Sequence, residues 1–117
     1  MRLFRELDFL LLDLPPGTGD VQITLTQLAP LTGALIVTTP SAIALADVRR
    51  GVEMFRQTEV PIIGLVENMC YFTCNTCGHE EAIFGAGGGE ENARQLDIPF
   101  LGRVPLDPLA RSQADAG

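Results

Sequence analysis

The sequence predicts an α/β protein built on a parallel sheet, and two observations carry that expectation. Strand-length apolar runs alternate with stretches of helical periodicity, in the order strand, helix, strand, helix, strand, insertion, helix, strand. The runs are apolar at consecutive positions rather than at every second one, as in strands covered on both faces. At 117 residues the chain fits one domain at most, spanning 1–117.

Leu7 to Leu14 is apolar apart from Asp8 and Asp13 and reads as the first strand. Pro15-Pro16-Gly17-Thr18-Gly19 breaks regular structure, and Asp20 can cap a helix from Val21 to about Ala29, which Pro30 ends. Gly33 to Thr39 is the second strand. Pro40 stops it, and Ser41 is a good N-cap for a helix from Ala42 to about Gln57. Leu45, Val48, Val52 and Phe55 recur at helical spacing and form its buried stripe, leaving Arg49, Arg50, Glu53 and Arg56 mostly outside.

Pro61 to Glu67 reads as the third strand. Asn68 to Gly89 reads as an irregular insertion, followed by a short helix from about Glu90 to Leu96 and a fourth strand from Ile98 to Val104. Parallel strands end on one edge, so Asp13, Thr39-Pro40, Glu67-Asn68 and Val104-Pro105 should share a rim. Open α/β sheets bind ligands there.

A net charge of −7 argues against a broad electrostatic grip on nucleic acid or anionic lipid. No apolar run approaches the ~20 residues of a membrane span. The first residues, Met1 to Glu6, are too short and polar for a signal peptide, which favours the cytoplasm. Three cysteines, Cys70, Cys74 and Cys77, lie close together. An odd, tight set suggests a metal or cluster more than disulfides.

Pro15 to Asp20 superficially suggests a phosphate-binding Walker A loop, but that loop needs Lys and then Ser or Thr after its last Gly. Asp20 and Val21 stand there, and a carboxylate would repel a triphosphate. A buried strand ending in Asp followed by a Gly is instead the Walker B arrangement, with Asp13 holding Mg²⁺ and Gly17 letting the backbone approach the terminal phosphate. An ordinary strand followed by a Pro-Gly turn explains the spacing as well.

Asp13-Leu14-Pro15-Pro16-Gly17-Thr18-Gly19-Asp20 closely resembles the switch II signature of the Mrp/ApbC branch of the MinD/ParA-like P-loop ATPases. The resemblance continues through Thr38-Thr39-Pro40, Ala44-Leu45-Ala46-Asp47, Val66-Glu67-Asn68-Met69, Cys74-Asn75-Thr76-Cys77-Gly78, Phe84 to Gly89, and Gly102 to Asp107, in family order. It implies an incomplete P-loop NTPase fold with a cysteine-bearing insertion at about 68–89. The family's Gly-rich phosphate loop with lysines is not in this chain, which therefore reads as a fragment that should not hydrolyse ATP alone.

The resemblance also implies the function: an iron–sulfur cluster carrier or scaffold whose loading, or transfer to apo iron–sulfur proteins, is coupled to ATP binding and hydrolysis in the complete protein. Asp13 would organise Mg²⁺ and water, and Gly17 would sense the γ-phosphate. Asn68 would contact the base, with Pro105 packed near it. Cys74 and Cys77 would hold a [4Fe–4S] cluster shared between the subunits of a homodimer. Two thiolates at C-x-x-C spacing fill half of a four-thiolate site, and a second copy across a two-fold axis completes it.

Other readings stay open at this point. Asn68 could be a turn residue bonded to its own backbone, and Cys70 a packing residue rather than a ligand. Cys70, Cys74, Cys77 and His79 could form a single-chain zinc site that staples a non-enzymatic module. The cysteines could also be a redox dithiol or the start of a radical-SAM motif, both disfavoured by context. A MinD/ParA-like positioning ATPase without a cluster is the remaining alternative. Gly87-Gly88-Gly89 reads as a hinge for the cysteine loop rather than an anion nest.

Overall fold

The computed structural model describes residues 6–15 and 19–117. The elements run α1 (Asp20–Leu28), β1 (Ala34–Thr38), α2 (Ala42–Gln57), β2 (Ile62–Thr73), β3 (Glu80–Glu81), α3 (Gly88–Gln95), β4 (Phe100–Leu106) and α4 (Pro108–Ala116). β2 is the central strand. It pairs in parallel with β1 on one side and β4 on the other, and β3 adds a short antiparallel pairing at its far end. The α/β class and the parallel sheet are as expected from the sequence.

α2 spans the expected residues. Ser41 caps it, its Oγ accepting the N–H of Ala44 at 3.3 Å. Val48, Val52 and Phe55 are buried, with Leu45 half-buried beside them. They pack with Ala34, Ile36, Val60, Leu65 and Ala93 into one core between α2, α3 and a single face of the sheet. Leu14, Ile23 and Leu31 join its margin, and Gln22 of α1 donates to the carbonyl of Pro15 at 2.6 Å. Gly19, rather than Asp20, occupies the N-cap of α1. Asp20 is the first helical residue, its charge placed where the helix dipole favours an anion.

Three expectations need correction. Leu7 to Leu14 forms no strand, and Leu7, Phe9, Leu10, Leu11 and Leu12 are exposed. A strand exists only through a ladder with a neighbour, and β1 and β4 each pair with β2 and not with this segment. The segment pairs with neither outer edge of the sheet, β1 or β4.

β2 does not stop at Glu67. It runs on through Asn68 and Cys70 to Thr73, kinked at Met69, whose φ is 56°. The register with β4 shifts between Asn68 and Phe72, so the kink absorbs the irregularity while pairing resumes. Residues 68–89 are thus not wholly irregular: they begin as strand and turn back through β3.

The last element, α4, was not expected. Asp107 caps it, its Oδ1 accepting the N–H of Leu109 at 2.8 Å, and Pro108 stands in its first turn. None of its residues is buried.

Candidate functional site: a cysteine hairpin beside the strand-end rim

The strand ends meet as expected for the three parallel strands. Thr38 of β1 pairs with Glu67 of β2, and Glu67 with Arg103 of β4, in one row across the sheet. Asn68 follows Glu67 and pairs with Val104, the neighbour of Pro105, so the structure brings Asn68 and Pro105 to the same rim. Asn68 is half-buried and Pro105 exposed. Asn68 Oδ1 accepts the N–H of Met69 at 2.9 Å, the local bond that a turn-type asparagine makes. Its amide nitrogen makes no hydrogen bond among the described residues.

Asp13 is exposed and stands outside the sheet, because the strand expected to carry it is not formed. Gly17 lies outside the described residues. The eight basic residues of the chain are all arginines, so no lysine is present to neutralise a triphosphate. Two open clefts, of about 370 Å³ beside Gly87, Arg94 and Phe100 and about 400 Å³ beside Arg56, Val60 and Pro99, involve neither Asn68 nor Pro105. Among the described residues, Glu67, Asn68 and Val104-Pro105 thus form a shared strand-end rim.

Beyond the rim, β2 carries the cysteines. Phe72 pairs with Glu81 and Thr73 with Glu80, making a hairpin whose loop is residues 74–79. The N–H of Cys74 donates to the carbonyl of His79 at 2.9 Å, and the N–H of Gly78 donates to the carbonyl of Cys74 at 2.8 Å. Gly78 has φ 72°, a left-handed conformation that glycine adopts without strain. This tight loop presents Cys74 half-buried and Cys77 exposed.

The thiol of Cys74 is held below its ordinary pKa. The backbone N–H of Cys77 is the largest cause, followed by the backbone N–H of Thr76 and then the Cys77 side chain. Donors converging on one sulfur favour its thiolate, the form that ligates metals. The same geometry sets the two thiols of the pair next to each other.

Cys70 is buried away from the pair, its Sγ donating to the carbonyl of Val104 at 3.2 Å across the β2–β4 ladder. It is a packing residue. Among the described residues, no group of three or more His, Cys, Asp or Glu side chains could hold a metal ion. Cys70, Cys74, Cys77 and His79 therefore do not form a single-chain zinc site. The hairpin offers two adjacent soft ligands, which suits half of a four-thiolate centre and not a complete one.

Two features escaped the sequence reading. Glu67 is fully buried, and its Oε2 accepts the N–H of Gly89 at 2.5 Å. Gly88 and Gly89 of the glycine triplet are close-packing positions rather than a nest, while Gly87 takes a left-handed φ of 74° in open space. A Cβ on Gly88 would stand 2.6 Å from Leu45 Cδ1, and one on Gly89 would stand 2.7 Å from Glu67 Oε2. The donor that an external anion would use is already taken by Glu67. A charged residue ending an apolar strand, and a run of glycines opening a helix, were the available signals.

Comparison with known proteins agrees with this arrangement. The family model described as ParA, NUBPL iron-transfer P-loop NTPase, matches residues 2–117. An iron–sulfur cluster carrier protein of Pseudomonas fragi is 51% identical over 114 residues, covering 97% of this chain and 40% of the relative. An iron–sulfur cluster transfer protein NUBPL of Dictyostelium discoideum is 54% identical over 112 residues, covering 96% of this chain and 35% of the relative. The chain thus spans well under half the length of these relatives. Among solved structures, a nucleotide-binding protein of Archaeoglobus fulgidus in complex with ADP superimposes with a TM-score of 0.83 at 43% identity, over 95% of this chain and 46% of that one. With a parallel sheet, a strand-end rim and a paired-cysteine hairpin in place, this chain belongs to the ParA/NUBPL family of iron-transfer P-loop NTPases.

Proposed function

We propose that this chain is the cysteine-bearing part of an iron–sulfur cluster carrier, in which Cys74 and Cys77 supply two of the four thiolates that hold a [4Fe–4S] cluster. A second copy of the chain supplies the other two, so the cluster is shared across a homodimer and passed on to apo iron–sulfur proteins. The observation that carries this reading is the exposed hairpin with two adjacent thiols, one biased toward thiolate, and the third cysteine buried elsewhere. Half a ligand set on a protruding loop suits a cargo that must be both held and released. The relatives named as cluster carriers support the cargo.

The rim supports a nucleotide role for the same protein. Asn68 has a free amide nitrogen to offer an adenine edge, with Pro105 beside it. Asp13 would organise Mg²⁺ and water, and Gly17 would lie against the γ-phosphate. ATP would require in addition a lysine-bearing phosphate loop that this chain does not contain. Binding and hydrolysis there would time loading or transfer at the hairpin.

Anaerobic reconstitution with iron and sulfide tests the reading. A broad visible absorbance should develop, with one cluster per two chains, and Cys74→Ser or Cys77→Ser should abolish it while Cys70→Ser should not. Stoichiometric zinc in each monomer, with no visible chromophore after reconstitution, would overturn it.

A further inference from the structure

Glu67 and Gly89 are the two points between which the cysteine hairpin is slung. The chain leaves the three-stranded part of the sheet just after Glu67, passes through Cys74 and Cys77, and returns to the protein body at the N-terminus of α3. The carboxylate of Glu67 and the N–H of Gly89, 22 residues apart, join the outgoing and returning legs by a 2.5 Å hydrogen bond.

The surroundings of this bond are built for it. Glu67 is fully buried. Its Oε2 meets the first turn of α3, where the helix dipole favours an anion. Its Oε1 lies 3.4 Å from Arg103 Nε without a hydrogen bond. Arg103 thus pairs with Glu67 and also with Glu90 of α3, at 2.5 Å, and its guanidinium lies over the ring of Phe100 at 5.4 Å. Three elements, β2, β4 and α3, thus converge on one carboxylate. A Cβ at its partner position would stand 2.7 Å from Glu67 Oε2, and one on Gly88 would stand 2.6 Å from Leu45 Cδ1 and 3.3 Å from the carbonyl oxygen of Pro40. Burying a carboxylate is costly, and an apolar side chain of similar size would fill the same space without that cost. Packing alone does not account for a buried hydrogen-bond acceptor here.

We propose that Glu67 is a positioning residue for the cysteine pair: by tying the returning leg to β2 it closes the base of the excursion and fixes how Cys74 and Cys77 are presented. Its link to cluster binding rests on the cluster-carrier reading above. The tie adjoins Asn68, so a shift of β2 at the nucleotide rim reaches the base of the hairpin through a single peptide unit.

The test compares wild type with Glu67→Gln, which keeps an acceptor for Gly89, Glu67→Leu, which keeps volume without one, and Gly89→Ala, which blocks the bond from the other side. Amide hydrogen exchange is followed over residues 68–88 and over α2, beside cluster retention by visible circular dichroism after anaerobic reconstitution. Glu67→Leu and Gly89→Ala should each speed exchange over 68–88 by about tenfold, as expected for a lost charged hydrogen bond, with α2 unchanged. They should shorten cluster retention by a similar factor, and Glu67→Gln should restore both. The double variant should be no worse than either single one, because one bond is being broken twice. Exchange and retention at wild-type levels in Glu67→Leu would overturn the proposal, as would faster exchange in α2 to the same degree. A wild-type chain that takes up no cluster would instead sink the carrier reading, while the exchange data would still decide whether the tie exists.

Discussion

Cys74 and His79 close the cysteine loop through their backbones, the N–H of one donating to the carbonyl of the other at 2.9 Å. That bond folds the chain between them so that the N–H groups of Thr76 and Cys77 point at the Cys74 sulfur. The loop activates a thiol without a helix terminus or a basic residue. The consequence can be measured directly.

Peptide-resolved alkylation of the reduced, metal-free chain should show Cys74 reacting with iodoacetamide at half its maximal rate at a lower pH than a free thiol of ordinary pKa. The sign follows from the donors: they stabilise the thiolate, so it persists as pH falls below the usual thiol range. The largest cause is a backbone group, so the downward shift should survive in Cys77→Ser, reduced in size. A Cys74 profile at or above that of a free thiol would contradict the loop geometry.

Gly64 lies near the start of β2, where a Cβ would stand 2.6 Å from Leu101 Cγ and 2.8 Å from the carbonyl oxygen of Pro99. The second contact is backbone and cannot rotate away. Gly64→Ala should destabilise the fold by about 1–3 kcal/mol, the range for overpacking a tight site. Urea unfolding should show the midpoint falling with an unchanged slope.

Val52 is fully buried between α2 and the sheet. Val52→Ala should cost about 2 kcal/mol from lost burial and a residual cavity. The same substitution at Ile43, which is 82% exposed on the same helix, should cost little. Equal losses at the two positions in thermal melts would contradict the assigned buried face.

Ser41→Ala removes the side-chain acceptor for the N–H of Ala44. The loss should be about 1 kcal/mol. Ser41→Asp should recover it, because a carboxylate accepts the same bond and also suits the positive end of the helix. Circular dichroism melts of the three proteins would decide the order.

Much of the fold was legible in the residue pattern. α2 could be placed between Ala42 and Gln57 because its cap, its 3.6-residue stripe and its flanking prolines all agree. β1 and the start of β2 were legible from unbroken apolar runs. α4 carried a readable signal too, an aspartate followed by proline at a helix start, but without an apolar face the segment did not stand out. The adjacency of Cys74 and Cys77 follows from their spacing and is the part of the candidate site least dependent on tertiary structure.

What lay beyond the sequence involves partners far apart in the chain. Leu7 to Leu14 has the composition of a buried strand, yet a strand needs a neighbour with free backbone groups, and no local pattern supplies one. Cys70 falls as close to the pair as a ligand should, but the β2–β4 ladder turns it inward to Val104. Glu67 looked like a strand exit, and its bond to Gly89 depends on α3 folding back over the sheet. Local spacing determines periodicity, caps and short-range ligand pairs, because those interactions close within a few residues. Which edge is paired, which thiol is buried and which carboxylate ties a loop are decided only when remote segments meet, because burial and long-range hydrogen bonds belong to the packed chain as a whole.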